Sequence, residues 1–188
     1  MEALNPLYPP PADYPAWDDP ALRVGSDTRW RSQYRLLQSW YRETVLQAPP
    51  ARYQGRFVGN RLPNDWVARH PDANFLTAEA AAYARARVPE VRKEHGTLDE
   101  IRLRTNLLSS MPLCFNLFGY LRAHRSTTAK PLAKAFELDI VEITRIVVEW
   151  APPSEDHLHD RTAFDAYIEY NTGNGGRGFV GVETKYTE

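Results

Sequence analysis

Two runs rich in aromatic and β-branched residues, Ala163 to Tyr170 and Phe179 to Tyr186, flank a glycine-rich stretch from Asn171 to Gly178. Such runs, bounded by turn residues, predict a β-hairpin. No other feature constrains the chain as much, because side chains alternate faces along a strand and one pairing register fixes them all. Glu183 and Lys185 are then expected on one face, and Asp165 joins them if the hairpin folds near Asn174 or Gly175. Two carboxylates and an amine converge in that arrangement. Hard divalent cations take oxygen donors and keep water positions open. Asp165 and Glu183, with the Thr184 backbone carbonyl as a further oxygen, therefore form a candidate site for one or two such ions, with Lys185 beside an attacking water. The plainer alternative is a surface hairpin with Glu183 and Lys185 solvated and Asp165 a strand-edge charge that discourages aggregation. Glu169, on the Asp165 face, is expected to meet solvent.

An acid on one strand followed by Glu-x-Lys on the next resembles the PD-(D/E)XK nuclease superfamily. The motif's proline is absent here; Phe164 precedes Asp165, and the proline bears no chemistry. Arg104 to Gly119 (Arg-Thr-Asn-Leu-Leu-Ser-Ser-Met-Pro-Leu-Cys-Phe-Asn-Leu-Phe-Gly), Thr162 to Asp165 and Val182 to Glu188 look like a bacterial, restriction-endonuclease-like branch, which often has glutamine where Met111 stands. The resemblance covers roughly Leu103 to Glu188. It implies an α+β fold with an α-β-β-β-α-β core, DNA as substrate, and Mg²⁺, or Mn²⁺ in its place, as cofactor. Asp165, Glu183 and Lys185 would be catalytic, and Asp165, Glu183 and Thr184 would hold the metal. An ammonium beside two carboxylates and a phosphate keeps its proton, so Lys185 is expected to position water rather than act as a base. A further metal-adjacent glutamate on the first core helix, frequent in the superfamily, would be Glu100 or Glu94.

The 188 residues, 43% of them apolar, fit one domain with an N-terminal extension. A net charge of −1 argues against a strongly basic coat while allowing a local basic groove. Arg122, His124, Arg125, Lys130 and Lys134 are a candidate patch of that kind; the alternative is a solvated helix-loop surface. The single cysteine, Cys114, excludes an internal disulfide and a cysteine-based zinc finger. Among Leu113, Phe115, Leu117 and Phe118 it is expected to be a small buried hydrophobe. No signal peptide begins the chain, and the longest apolar stretch, Met111 to Leu121, is too short for a bilayer. No membrane partner and a cytoplasmic location are expected. His157 and His159 lack a third ligand at suitable spacing, so a solvated loop is expected there.

In chain order, residues 1–25 form an extended proline-rich arm, 26–96 a helical region and 97–188 the nuclease-like core. Ser26 or Asp27 is expected to cap a helix whose stripe of Trp30, Tyr34, Leu37, Tyr41 and Val45 faces the core, with Pro49-Pro50 as its stop. A short irregular or strand segment follows from Tyr53 to Leu62. Thr77 caps a helix from Ala78 to about Val88, which Pro89 interrupts before Gly96. Thr97 to Glu100 reads as a capping box opening a helix from Leu98 to about Leu108. Ser109 or Ser110 and then Thr127 or Thr128 start two more, the last ending near Asp139. Ile143 to Trp150 reads as the first strand of the sheet, with Glu149 near its end. The chain stops three residues after Lys185, where the superfamily core continues with a helix and a strand. A fragment of a longer protein is the expectation. The alternatives are elements supplied by a partner or a homodimer, or a catalytically silent DNA-binding or assembly module.

Overall fold

The structure is a computed structural model that describes residues 24–94, 96, 98–152 and 163–186. Most of the proline-rich arm, Thr97 of the expected capping box, and the loop carrying His157 and His159 lie outside these residues. The architecture is α+β, with two separate antiparallel sheets. Among the described residues two compact units interleave along the chain: those within 24–74, 101–109 and 185–186 form the first, and those within 75–100 and 110–184 the second. Among the described residues no helix is long and apolar enough to cross a membrane.

In the first unit, Thr28 rather than Ser26 or Asp27 caps α1 (Arg29–Trp40), its hydroxyl accepting from the Arg31 N–H. Asp27 is engaged elsewhere, taking two hydrogen bonds from the Arg35 guanidinium at 2.6 and 2.9 Å. A single π-helical turn, Tyr41–Val45, follows. The expected aromatic stripe is core only in part: Tyr41 packs against the cluster of Ala48, Leu62, Val67 and Leu107. Leu36, Ser39 and Trp40 are buried, while Trp30 is 67% exposed. Tyr34 packs instead edge-on against Tyr186, with ring centroids 5.4 Å apart, and Gln38 hydrogen-bonds the Tyr186 hydroxyl.

Strands β1 (Ala51–Tyr53) and β2 (Arg56–Val58) form a hairpin. Its two-residue turn, Gln54-Gly55, has φ of 51° and 79°, the left-handed pair that matches strand twist. Ala48, Leu62, Val67 and Leu107 make the local core, beside α2 (Asn64–Arg69). Helix α4 (Glu100–Thr105) is shorter than the expected Leu98 to Leu108. It ends because Asn106 leaves the helix to bridge Arg61, and the Leu107 N–H bonds the Asn60 carbonyl at 3.0 Å.

In the second unit, Thr77 caps α3 (Ala78–Lys93) as expected, but the helix runs through Pro89. The proline removes one backbone hydrogen bond. Burial of Val88 and Val91 on either side of it holds the helical path. Gly96 then closes the end, its N–H on the Val91 carbonyl at 2.9 Å. Helices α5 (Ser110–Ala123) and α6 (Arg125–Phe136) lead into β3 (Glu142–Trp150), β4 (Phe164–Asn171) and β5 (Arg177–Val182). The strands are sequential and antiparallel, in the order β3-β4-β5. Helix α5 packs on α3 and on the face of β3 and β4. A Cβ on Gly119 would stand 2.9 Å from the Ala80 Cα, so only glycine lets α5 approach α3 this closely. Phe115, Ile146, Val148 and Ile168 fill the helix–sheet interface with almost no exposure.

Candidate active site

The β4–β5 hairpin folds about Asn174. Its register runs from Asn171↔Arg177 to Ala166↔Val182, and the Thr172 carbonyl accepts the Gly175 N–H at 3.0 Å. Asp165 lies near the start of β4. Strand β5 ends at Val182, so Glu183, Thr184 and Lys185 follow the strand rather than lie within it. This corrects the expectation of a strand reaching Tyr186, and strand parity no longer argues that Glu183 and Lys185 share a face. The reason lies one residue on. The Thr184 N–H and hydroxyl both turn to one Asp165 oxygen, Oδ2, at 2.6 and 2.7 Å, replacing the backbone ladder with a grip on the carboxylate. Oδ1 of Asp165 takes no hydrogen bond among the described residues. Glu183 stands between Val182, the last paired residue of β5, and Thr184, which holds Asp165.

On the other side of Asp165 stands Glu149. The pairs Val148↔Ala166 and Trp150↔Phe164 bracket it, so Glu149 and Asp165 are neighbours in the β3–β4 ladder, and with Glu183, just past the end of β5, they make a row of acids. Glu149 has φ of 52°, a left-handed conformation that costs a non-glycine residue about 1–2 kcal/mol. Arg87 of α3 holds it there. Its Nε donates to the Val148 carbonyl and its Nη2 to the Glu149 carbonyl, both at 2.8 Å, while the Tyr83 hydroxyl accepts the Val148 N–H at 2.9 Å. The guanidinium is buried and also pairs with Glu94 at 2.7 Å and Glu90 at 3.3 Å.

Cys114 reports the charge of this row. It is fully buried as expected, and its thiol donates to the Asp165 carbonyl at 3.0 Å. Burial first, then the negative charges of Asp165 and Glu149 and more weakly that of Glu183, push the thiol up; a hydrogen bond with Thr184 works in the opposite direction. A protonated, buried sulfur is no nucleophile.

Two other groups of candidates have structural partners. Glu94 is bound to Arg87, and Glu100 pairs with Arg92, so each weighed extra glutamate is held by an arginine. In the basic patch, Arg122 lies over the Tyr83 ring at 4.7 Å, His124 stacks on Tyr120, and Arg125 donates to the Thr144 carbonyl. Glu169 is a surface residue paired with Arg145 at 3.3 Å.

Sequence reasoning missed the Thr184 side chain and Arg87. For Arg87 a signal existed: it shares helical spacing with Ala80, Ala84 and Val91, all buried, and an arginine on that stripe must find acceptors. Among the described residues no three histidine, cysteine or carboxylate side chains make a metal cage unaided. Asp165 and Glu183 supply carboxylate oxygens, the donor type that hard divalent cations take alongside water and phosphate. Lys185 is exposed and is counted with the first unit, whereas Asp165, Glu183 and Thr184 belong to the second.

Comparisons with curated proteins and with solved structures return no match. A family comparison does. The match runs over residues 25–188, which include the acid on β4 and the Glu-Thr-Lys segment after β5. The chain belongs to the PD-(D/E)XK nuclease superfamily.

Proposed function

We propose that this chain is the nuclease domain of a restriction-type endonuclease that hydrolyses DNA phosphodiester bonds with Mg²⁺. The observation that carries the reading is the double hydrogen bond from Thr184 to Asp165 Oδ2, which ties the Glu-Thr-Lys segment to the acid of the preceding strand. Asp165 through Oδ1, Glu183 and the Thr184 carbonyl are the oxygen donors for a cation. Bound there, a divalent ion supplies positive charge for a phosphoryl oxygen and lowers the pKa of water.

The chain's own groups do the rest. Thr184 fixes the Asp165 carboxylate in one orientation, so no rotamer search accompanies binding of the ion or the phosphate. The Lys185 ammonium holds the attacking water and the phosphate through its three donors. Glu149 adds negative charge at the far end of the row, which strengthens cation binding. Mn²⁺, another oxygen-seeking cation, would serve in place of Mg²⁺.

The test is plasmid cleavage with Mg²⁺, Mn²⁺ or chelator, using the natural chain and Asp165→Asn. Metal-dependent nicking that disappears in the variant is the expected result. Cleavage that survives Asp165→Asn would place the metal elsewhere. Absence of cleavage with intact DNA binding would favour a silent nuclease-like binding module.

A further inference from the structure

A second site is built into the first unit. Helix α1, the β1–β2 hairpin and the segment around Asn60 and Asn106 enclose an open cleft of about 790 Å³. Five arginines line it, Arg31, Arg35, Arg52, Arg56 and Arg61, and no aspartate or glutamate does. Arg35 is already neutralised: Asp27 holds it by two hydrogen bonds, and it donates to Asn60. Arg52 and Arg56 differ, since both are exposed on the two strands of the hairpin.

The arginines are interleaved with aromatics in a regular way. Arg52 pairs across the hairpin with Phe57, and Tyr53 with Arg56. The Arg52 guanidinium lies 4.5 Å over the Phe57 ring, and that of Arg61 lies 4.3 Å over Tyr53. Both rings remain nearly half exposed, at 45% and 48%. Stacking fixes the plane of a guanidinium and turns its N–H edge outward, where two parallel donors match a phosphate. Exposed aromatics beside such donors also suit stacking by bases.

We propose that this cleft binds the phosphodiester backbone of a nucleic-acid strand, separately from the carboxylate row. The choice of nucleic acid over other polyanions rests on the nuclease reading above. The anion-binding chemistry itself does not.

The experiment measures binding of fluorescent single- and double-stranded oligonucleotides to the full chain by anisotropy, in chelator, across a series of salt concentrations. The variants are the double substitution Arg52→Gln/Arg56→Gln, the charge-preserving Arg52→Lys/Arg56→Lys, and Asp165→Asn. Each phosphate contact contributes about one unit to the slope of log affinity against log salt. The glutamine pair should therefore lower the slope by about two and weaken binding by at least about tenfold at low salt. The lysine pair should keep the slope and lose part of the affinity, and Asp165→Asn, with one repelling charge gone, should bind no more weakly than the natural chain.

Both arginines are exposed at a hairpin tip, so circular dichroism and thermal midpoint should not change. If the fold is lost, the single variant Arg56→Gln replaces the pair, with a slope change of about one expected. An unchanged slope in folded glutamine variants overturns the proposal even where cleavage is normal. Polyglutamate that displaces the oligonucleotide at equal charge concentration overturns it in favour of an acidic-peptide site. Arginine-dependent binding without any metal-dependent cleavage upholds the cleft and defeats the nuclease reading.

Discussion

The two units gather charge of opposite sign, acids in one and arginines in the other. In the second unit, Glu149 on β3, Asp165 on β4 and Glu183 just after β5 set a row of negative charge, suited to a cation. In the first, arginines from α1 and a short hairpin set positive charge around an open cleft, suited to an anion. Their construction differs as well. Two of the acids, Glu149 and Asp165, are fixed by the β3–β4 register, with one carboxylate gripped by Thr184 and one backbone strained into place by Arg87. The arginines rest on exposed, stacked side chains that can adapt. A site that must hold a small ion to within a few tenths of an ångström needs the first construction, and a surface that tracks a flexible polymer tolerates the second.

The largest expected effect separates these two roles. Asp165→Asn keeps the shape and an acceptor for Thr184 but removes the charge that a cation needs. Cleavage should fall by at least about 10²–10³-fold, in line with losing one electrostatic contributor to a transition state. Oligonucleotide affinity in chelator should be unchanged or slightly higher, because one repelling charge is gone. Parallel loss of binding would show that acids and arginines form a single site, and the contrast drawn between them would collapse.

Next in size is Arg87→Met, aimed at the rigidity of the acid row. It leaves the Val148 and Glu149 carbonyls without their donor, and each unsatisfied buried polar group costs about 1–3 kcal/mol. Glu94 and Glu90 are themselves 45% and 60% exposed, so loss of those pairs adds little. A destabilisation of about 3 kcal/mol in urea unfolding is expected, with cleavage reduced beyond what the unfolded fraction explains. A change below about 0.5 kcal/mol would mean that the clamp does not hold the strand end.

How much of this could be read from the sequence follows from the same contrast. The hairpin about Asn174 and the place of Asp165 on β4 were legible because runs of β-branched and aromatic residues flank a glycine-rich turn. The end of β5 was not legible. Whether a strand continues to Lys185 depends on whether Thr184 gives its N–H to a backbone carbonyl or to the Asp165 side chain, a choice between two acceptors that composition does not decide. Helix α3 was read as stopping at Pro89, since the local cost of proline is visible in sequence and the burial of Val88 and Val91 that overrides it is not. The cleft was invisible for another reason. Its arginines are spread from Arg31 to Arg61, and a net charge of −1 hides them.

A smaller effect is a pH dependence peculiar to the acid row. The Cys114 thiol is raised by burial and by Asp165, Glu149 and Glu183. Above the ordinary thiol pKa of about 8.5 the unfolded chain loses this proton while the native one keeps it. The native state then binds more protons than the unfolded state, so stability must fall as pH rises. The limiting slope is about 1.4 kcal/mol per pH unit. Urea unfolding between pH about 8.5 and 10 should show this fall, and Cys114→Ala should remove it. The raised tyrosines Tyr41, Tyr83, Tyr167 and Tyr186 add a fall of the same sign only near the top of that window, where unfolded tyrosine begins to ionise at about 10, so the fall that Cys114→Ala removes is the one between about 8.5 and 9. A slope that persists in Cys114→Ala would mean that another group reports the field.

The smallest expected effect asks whether strain at Glu149 serves the site. Glu149→Gln removes the charge and keeps the left-handed backbone, whereas Glu149→Gly removes the charge and relieves the strain. Relief of about 1–2 kcal/mol is partly offset by the extra entropy of a glycine in the unfolded chain, about 0.5–1 kcal/mol. The glycine variant should therefore be more stable than the glutamine variant by about 0.5–1 kcal/mol. Both should bind Mg²⁺ a few-fold more weakly by calorimetry, since each removes the same charge from one end of the row. Strain retained only because this acid must stand opposite Asp165 predicts that pattern: stability gained and cation affinity lost by the same substitution. If Glu149→Gly is stabilised and its Mg²⁺ affinity equals that of the natural chain, the strained residue is not part of the cation site. The row then reduces to Asp165 and Glu183.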